Sequence, residues 1–110
     1  MLNLHISDNS LSSIATFCFA FFHQQVVIFS KSYCPFCTKT KDLFTSMGVE
    51  FAVHELDQMG DDGPDLQMAL FKMTDQKSVP NVFVKQQHIG GNDDTQAAAK
   101  GGKLKELLGL

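Results

Sequence analysis

One junction governs how this chain can fold. Residues 26–29 (VVIF) form a short apolar run that is mostly β-branched. It passes through Ser30-Lys31-Ser32-Tyr33 into Cys34-Pro35-Phe36-Cys37, the head of an amphipathic stretch. Such a run suits a buried strand. Pro35 fits the first turn of a helix expected over 34–47, with Leu43, Phe44 and Met47 as its apolar stripe and Gly48 as its terminator. Residues 51–56 then alternate, with Phe51, Val53 and Glu55 on one face and Ala52, His54 and Leu56 on the other, which predicts a second strand. Strand–helix–strand order implies a parallel pair joined by a right-handed crossover.

The pattern continues downstream. A polar loop over 58–63 leads to Pro64, which opens a helix with Asp65 in its first turn and Leu66, Ala69, Leu70 and Met73 along one side. Residues 75–78 read as a turn. Val82, Phe83 and Val84 form a strand after Pro80, and Lys85-Gln86-Gln87 turns the chain without the glycine such a turn usually selects. His88-Ile89 begins the partner strand and Gly90-Gly91 breaks it. Asn92 or Asp93 caps a helix from about Thr95 to Lys100, and Gly101-Gly102 separates a last helix, Lys103 to Leu108. Upstream, Ser10 is a plausible N-cap for a helix bearing Leu11, Ile14, Ala15, Cys18, Phe21 and Phe22, with residues 1–9 expected to be loose. The expectation is one α/β domain over 1–110, a small four-stranded mixed sheet flanked by helices.

Composition narrows the function classes. A chain of 110 residues can bury one core but not two. Its 44% hydrophobic and 19% charged residues exclude a disordered chain. The formal net charge is −3, and every cation is lysine, so the arginine forks that read nucleic-acid bases are absent and no nucleic-acid partner is expected. The longest apolar stretch, 14–22, falls short of the roughly 18 residues that a membrane span requires, so no membrane partner is expected either. That stretch has no cation ahead of it, as a secretory signal would, and it reads as a structural helix. The expected location is the cytoplasm, with an organellar leader upstream of Ser10 left open. Nothing implies a stable oligomer, so a monomer is expected.

Three cysteines are present, two of them close together. A stapled secreted domain usually carries an even, larger number, and a zinc site needs about four ligands, so a working pair in a reducing compartment is the better reading and no metal is expected. A helix N-terminus offers unpaired N–H groups and partial positive charge, both of which stabilise a thiolate. Cys34 at the cap receives most of this effect. Cys37, about one turn in, is expected to be more buried. Cys34 is therefore the candidate nucleophile and Cys37 the resolving thiol. Cys18, on an apolar face with no cation nearby in sequence, reads as an inert core residue.

Three segments together carry a resemblance. Ser30 through Cys37 (SKSYCPFC), Ser78 through Val84 (SVPNVFV) and His88 through Asp94 (HIGGNDD) resemble the signature blocks of dithiol glutaredoxins, in the same order. The resemblance implies a thioredoxin-like fold and a glutathione-disulfide oxidoreductase that reduces protein–glutathione mixed disulfides and low-molecular-weight disulfides. Glutathione would be the reducing co-substrate, regenerated by glutathione reductase. It implies a cis peptide at Val79-Pro80, with Val79 backbone groups pairing the cysteinyl backbone of glutathione. Lys31, Gln67 and Lys77 match residues that serve its glycine carboxylate. Gly91, Asn92 and Asp93 match the block that receives its γ-glutamyl group, and Phe36 matches an apolar wall.

The chain also departs from the family pattern. Phe36 stands where tyrosine is usual, Asn92 where many relatives have cysteine, Ser78 where threonine is common and Asp75 where glycine is common. None of these departures removes the mechanism; they bear on substrate preference and on the acidity of Cys34. Three other readings compete: an iron–sulfur cluster held between two subunits, against which Pro35 argues by stiffening the turn; thioredoxin-like activity with electrons from a flavoenzyme, against which the absence of any tryptophan argues; and a non-catalytic adaptor on the same fold, against which the presence of both Cys34 and Cys37 argues.

Overall fold

The structure is a computed structural model and describes residues 25–110. Its elements are β1 (Val26–Ser30), α1 (Pro35–Ser46), β2 (Ala52–Glu55), a 3-10 turn (Leu56–Gln58), α2 (Asp62–Thr74), β3 (Asn81–Val84), β4 (Gln87–Gly90), α3 (Asn92–Lys100) and α4 (Lys103–Leu108). The helix expected over 11–22, Cys18 and the loose segment 1–9 lie outside the described residues.

Every residue of β1 is buried, as an apolar run with no polar alternation requires. It is the central axis of a four-stranded sheet in the order β2-β1-β3-β4. β1 pairs in parallel with β2 and antiparallel with β3, and β3 pairs antiparallel with β4, which gives the mixed sheet expected. Side chains alternate between its faces. Val26, Ile28, Val82 and Val84 pack with Phe44 of α1 and with Leu104 and Leu108 of α4. Val27, Phe29 and Phe83 pack with Leu56, Leu66 and Leu70, so α2 covers the opposite face. Each fully buried side chain of this size contributes about 1.5–3 kcal/mol relative to exposure.

Strand direction places three chain reversals on one edge. Phe29 pairs with Asn81, the first residue of β3, so Pro80 is carried to the edge where β1 ends and Cys34 follows. Gly90, the last residue of β4, pairs with Val82 and brings the start of α3 to the same edge.

Several boundaries differ from the sequence reading. α2 begins at Asp62, so Pro64 lies inside the first turn rather than opening it; proline is tolerated there because those N–H groups have no intrahelical acceptor. Met73, in the last turn of α2, is 61% exposed, and the apolar cover of that face stops at Leu70. β2 spans Ala52–Glu55, shorter than 51–56, because Leu56 enters the 3-10 turn. The β3–β4 turn is only two residues long, Lys85 (φ 52°) and Gln86 (φ 67°), and Gln87 belongs to β4. Two left-handed non-glycine residues make this a locally costly turn, by about 1–2 kcal/mol each. Gly90 closes β4 rather than breaking it, at φ 126°, beside a one-residue register shift in the ladder.

α3 starts at Asn92, with Gly91 as its N-cap and Thr95 N–H donating to the Gly91 carbonyl at 3.0 Å. Asn92 and Asp93 are thus inside the helix and do not cap it. Asp93 and Asp94 fall in its first turn, where the helix dipole favours negative charge. Among the described residues no helix is long and apolar enough to cross a membrane, and no group of three or more His, Cys, Asp or Glu is placed to hold a metal ion.

Candidate active site

Cys34 is the N-cap of α1, with extended backbone (φ −88°, ψ 117°). Its N–H donates to the Lys31 carbonyl at 3.0 Å, and its Sγ accepts from the Cys37 N–H at 3.4 Å. The thiol thus occupies the position a capping oxygen usually fills, where a negative charge on sulfur meets an N–H and the positive end of the helix. Its other near neighbour is the Val79 carbonyl, at 3.9 Å.

Cys37 differs in every respect. It is fully buried. Burial pushes its thiol up; the Ser30 hydroxyl and Lys31 backbone oppose this in part, while Cys34 adds to it. The pair therefore divides into one accessible sulfur at the helix cap and one protonated sulfur beneath it.

The turn that presents Cys34 is anchored from outside. Ser32 donates its N–H to Asp57 Oδ1 at 2.9 Å and its hydroxyl to Asp57 Oδ2. These bonds, the Ser32 hydroxyl first, hold the Asp57 carboxyl below its ordinary value. Asp57 sits on the 3-10 turn, whose Leu56 is buried in the core. Gly63 backs this turn so closely that a Cβ there would stand 2.0 Å from the Leu56 carbonyl oxygen. The Ser32–Asp57 link joins residues 25 positions apart, and sequence reasoning missed it because neither residue type carries a distinctive pattern.

Beside Cys34 lies a cleft of about 360 Å³. One wall is Ser78, Val79 and Pro80, and the Val79-Pro80 peptide is cis, as expected. The other is Gly91, Asn92, Asp93 and Asp94, and Phe36 and Gln76 complete the lining. Six of the nine residues expected to bind the co-substrate are brought together here: Phe36, Val79, Pro80, Gly91, Asn92 and Asp93. Phe36 is 53% exposed and carries Lys39 over its ring at 5.2 Å. Asp93 is exposed.

The Asn92 side chain turns inward. Its Oδ1 accepts from Thr40 Oγ1 at 3.0 Å and from Gln96 Nε2 at 3.2 Å, which ties α3 to α1. What Asn92 offers the cleft is therefore its backbone at the start of α3.

Lys31, Gln67 and Lys77 stand outside this lining. Lys31 is half-buried beside Cys34, and its carbonyl closes the turn. Gln67 Nε2 donates to the Lys77 carbonyl at 2.7 Å, and Lys77 Nζ lies 5.9 Å over the Phe71 ring. The lining residues that the sequence reading did not assign to co-substrate binding are Gln76, Ser78 and Asp94. Ser78 and Asp94 lie within the signature blocks, whereas nothing in the sequence marks Gln76.

Comparison with known proteins agrees with this geometry. A family model described as Glutaredoxin matches residues 26–89. Glutaredoxin-C6 of Oryza sativa subsp. japonica is 53% identical over 83 residues, which cover 76% of this chain and 73% of that protein. The crystal structure of a buckwheat glutaredoxin–glutathione complex superposes with a TM-score of 0.85 at 35% identity, covering 94% of this chain and 93% of that one. A wheat glutaredoxin crystal structure gives a TM-score of 0.81 at 50% identity, with 94% of each chain covered.

Proposed function

The chain belongs to the glutaredoxin family of thiol–disulfide oxidoreductases, with the thioredoxin-like fold of that family, and from this premise we propose that it reduces protein–glutathione mixed disulfides and small disulfides with glutathione as reductant. The observation that carries the reading is the contact between Cys34 Sγ and the Val79 carbonyl, which sets the accessible thiol against the wall of the cleft.

In this reading the Cys34 thiolate attacks the glutathione sulfur of the mixed disulfide. A Cys34–glutathione disulfide forms and the substrate leaves as a thiolate that takes up a proton. A second glutathione thiolate then attacks the glutathione sulfur of that adduct, freeing Cys34 and forming glutathione disulfide, which glutathione reductase recycles. In the dithiol route the Cys37 thiol loses its proton and attacks Cys34 Sγ. Glutathione leaves, and two further glutathiones reopen the Cys34–Cys37 bond. The raised Cys37 thiol favours the first route, because a thiol kept protonated attacks slowly.

In this proposal the parts of glutathione are divided among the residues that match the family blocks. Val79 pairs its backbone with the cysteinyl backbone, in the manner of an added strand. The start of α3 at Gly91 and Asn92 receives the γ-glutamyl carboxylate, and Asp93 accepts from its ammonium. Lys31, with Gln67 and Lys77 further along, faces the glycine carboxylate, and Phe36 forms an apolar side.

A coupled assay tests this directly. Reduction of a glutathione mixed disulfide is followed with glutathione and glutathione reductase, and in parallel with a flavoenzyme reductase that takes electrons to thioredoxins. Turnover in the first system and none in the second is expected. The reverse result contradicts the proposal.

A further inference from the structure

We propose that Gln76 is a positioning residue for the glutathione cleft: its side-chain amide clamps the carbonyls on either side of Val79, leaving Val79 as the residue of that loop whose backbone serves the ligand. The inference rests on the glutathione reading above and goes beyond it, since Gln76 lies in none of the three signature blocks.

The geometry is specific. Gln76 Nε2 donates to the Ser78 carbonyl at 3.1 Å and to the Pro80 carbonyl at 2.9 Å. A primary amide nitrogen carries two hydrogens, and both are spent on these bonds. The bonded carbonyls bracket Val79, whose own carbonyl faces Cys34 Sγ.

The clamp is itself held. Asp75 ends α2 in left-handed conformation (φ 61°), with its N–H on the Phe71 carbonyl at 2.8 Å, which turns the chain sharply at Gln76. The Gln76 N–H donates to Thr74 Oγ1 at 3.1 Å, and Thr74 Oγ1 donates to the Leu70 carbonyl at 2.7 Å, so the clamp is tied back to α2 at the buried Leu70.

The same amide lies where the two walls meet. A Cβ on Gly91 would stand 3.7 Å from the Pro80 carbonyl oxygen and 3.9 Å from Gln76 Nε2. By holding the Ser78 and Pro80 carbonyls, Gln76 sets the loop side of the spacing between the segment that pairs the cysteinyl backbone and the helix start that takes the γ-glutamyl group. A ligand bound through both walls depends on that spacing; a disulfide that only meets Cys34 does not.

This difference provides the test. Reduced wild type, Gln76→Met and Gln76→Glu are each mixed with two disulfides in single-turnover stopped flow. One is glutathione disulfide, and the other is bis(2-hydroxyethyl) disulfide, which has no peptide backbone. Met keeps the volume and removes both donors, while Glu places an acceptor against two carbonyls. Loss of two neutral hydrogen bonds is expected to slow the glutathione disulfide reaction about tenfold in Gln76→Met, and further in Gln76→Glu. The rate with bis(2-hydroxyethyl) disulfide stays within about twofold of wild type.

Equal loss on both disulfides overturns the proposal, because it marks a general scaffold role, and unchanged rates on both overturn it as well. Failure of the underlying reading is separately visible: it shows as a wild type that reacts no faster with glutathione disulfide than with the backbone-free disulfide.

Discussion

The reactive turn and the cleft wall opposite it lie within one contact of each other and are built in different ways. The turn is local. Cys34, its N–H partner Lys31 and its sulfur's donor Cys37 fall within seven consecutive residues, 31–37, at the N-terminus of the helix they open. The wall is assembled from afar. Residues 76–80 and 91–94 meet only because β3 runs antiparallel to β1 and β4 returns beside it. Chemistry at sulfur is therefore set by a few neighbours in sequence, whereas recognition of a ligand depends on the whole sheet holding its register.

The sharpest way to separate the two regions is to remove the sulfur alone. Cys34→Ser is expected to lower mixed-disulfide turnover by at least about a thousandfold without altering the cleft. Cys37→Ser is expected to retain most of that turnover, since the route through glutathione needs one sulfur. Steady-state rates of the two variants check this; equal losses would erase the distinction between cap thiol and buried thiol.

A second approach attacks the outer support of the turn. Gly63→Ala forces a Cβ against the Leu56 carbonyl, beneath the 3-10 turn that holds Ser32 through Asp57. A loss of about 1–3 kcal/mol in denaturant unfolding is expected, as for other overpacked sites.

A third loosens the tie between the two regions. Asn92→Ala removes the acceptor of the buried Thr40 hydroxyl and with it one tie between α3 and α1. A cost of about 1–2 kcal/mol is expected, measured in the same way, together with a raised KM for glutathione.

The smallest expected effect is that of pH on the sheet. Burial holds the His54 ring below its ordinary 6.5. His88, whose Nε2 lies 2.8 Å from Asn81 Oδ1, is also held below 6.5 by burial, with Asp94 partly opposing. A depressed folded value means that stability is complete above 6.5 and falls as pH drops through the lower folded values. Thermal unfolding between pH 7 and pH 5 is expected to show this decline, and proton NMR is expected to show both rings titrating below 6.5.

The same contrast explains what could be read from sequence. β1, the cap position of Cys34 and α1 are each written in adjacent residues, and the cis peptide at Val79-Pro80 followed from a contiguous block. The start of α2 was misplaced because Pro64 is compatible with several positions in a first turn. The start of α3 was misplaced because Asn92 and Asp93 have the chemistry of caps, whereas Gly91 takes that role. The Lys85-Gln86 turn carries no glycine to announce its left-handed backbone. Ser32–Asp57 and the Gln76 clamp are side-chain bonds made possible by the folded sheet, and their residue types are common on any surface. The cap position of Cys34 and the burial of Cys37 were therefore legible in the sequence, and the cleft only where its walls coincide with short motifs.

The most direct test of the account is the amide NMR spectrum of the Cys37→Ser protein before and after reaction with glutathione disulfide, with the adduct located by mass spectrometry. One glutathione on Cys34 is predicted, with amide shifts at Val79, Gly91, Asn92 and Asp93. An adduct on Cys34 whose shifts stop at residues adjacent in sequence would contradict the account, because the reactive turn would then work without the wall beside it.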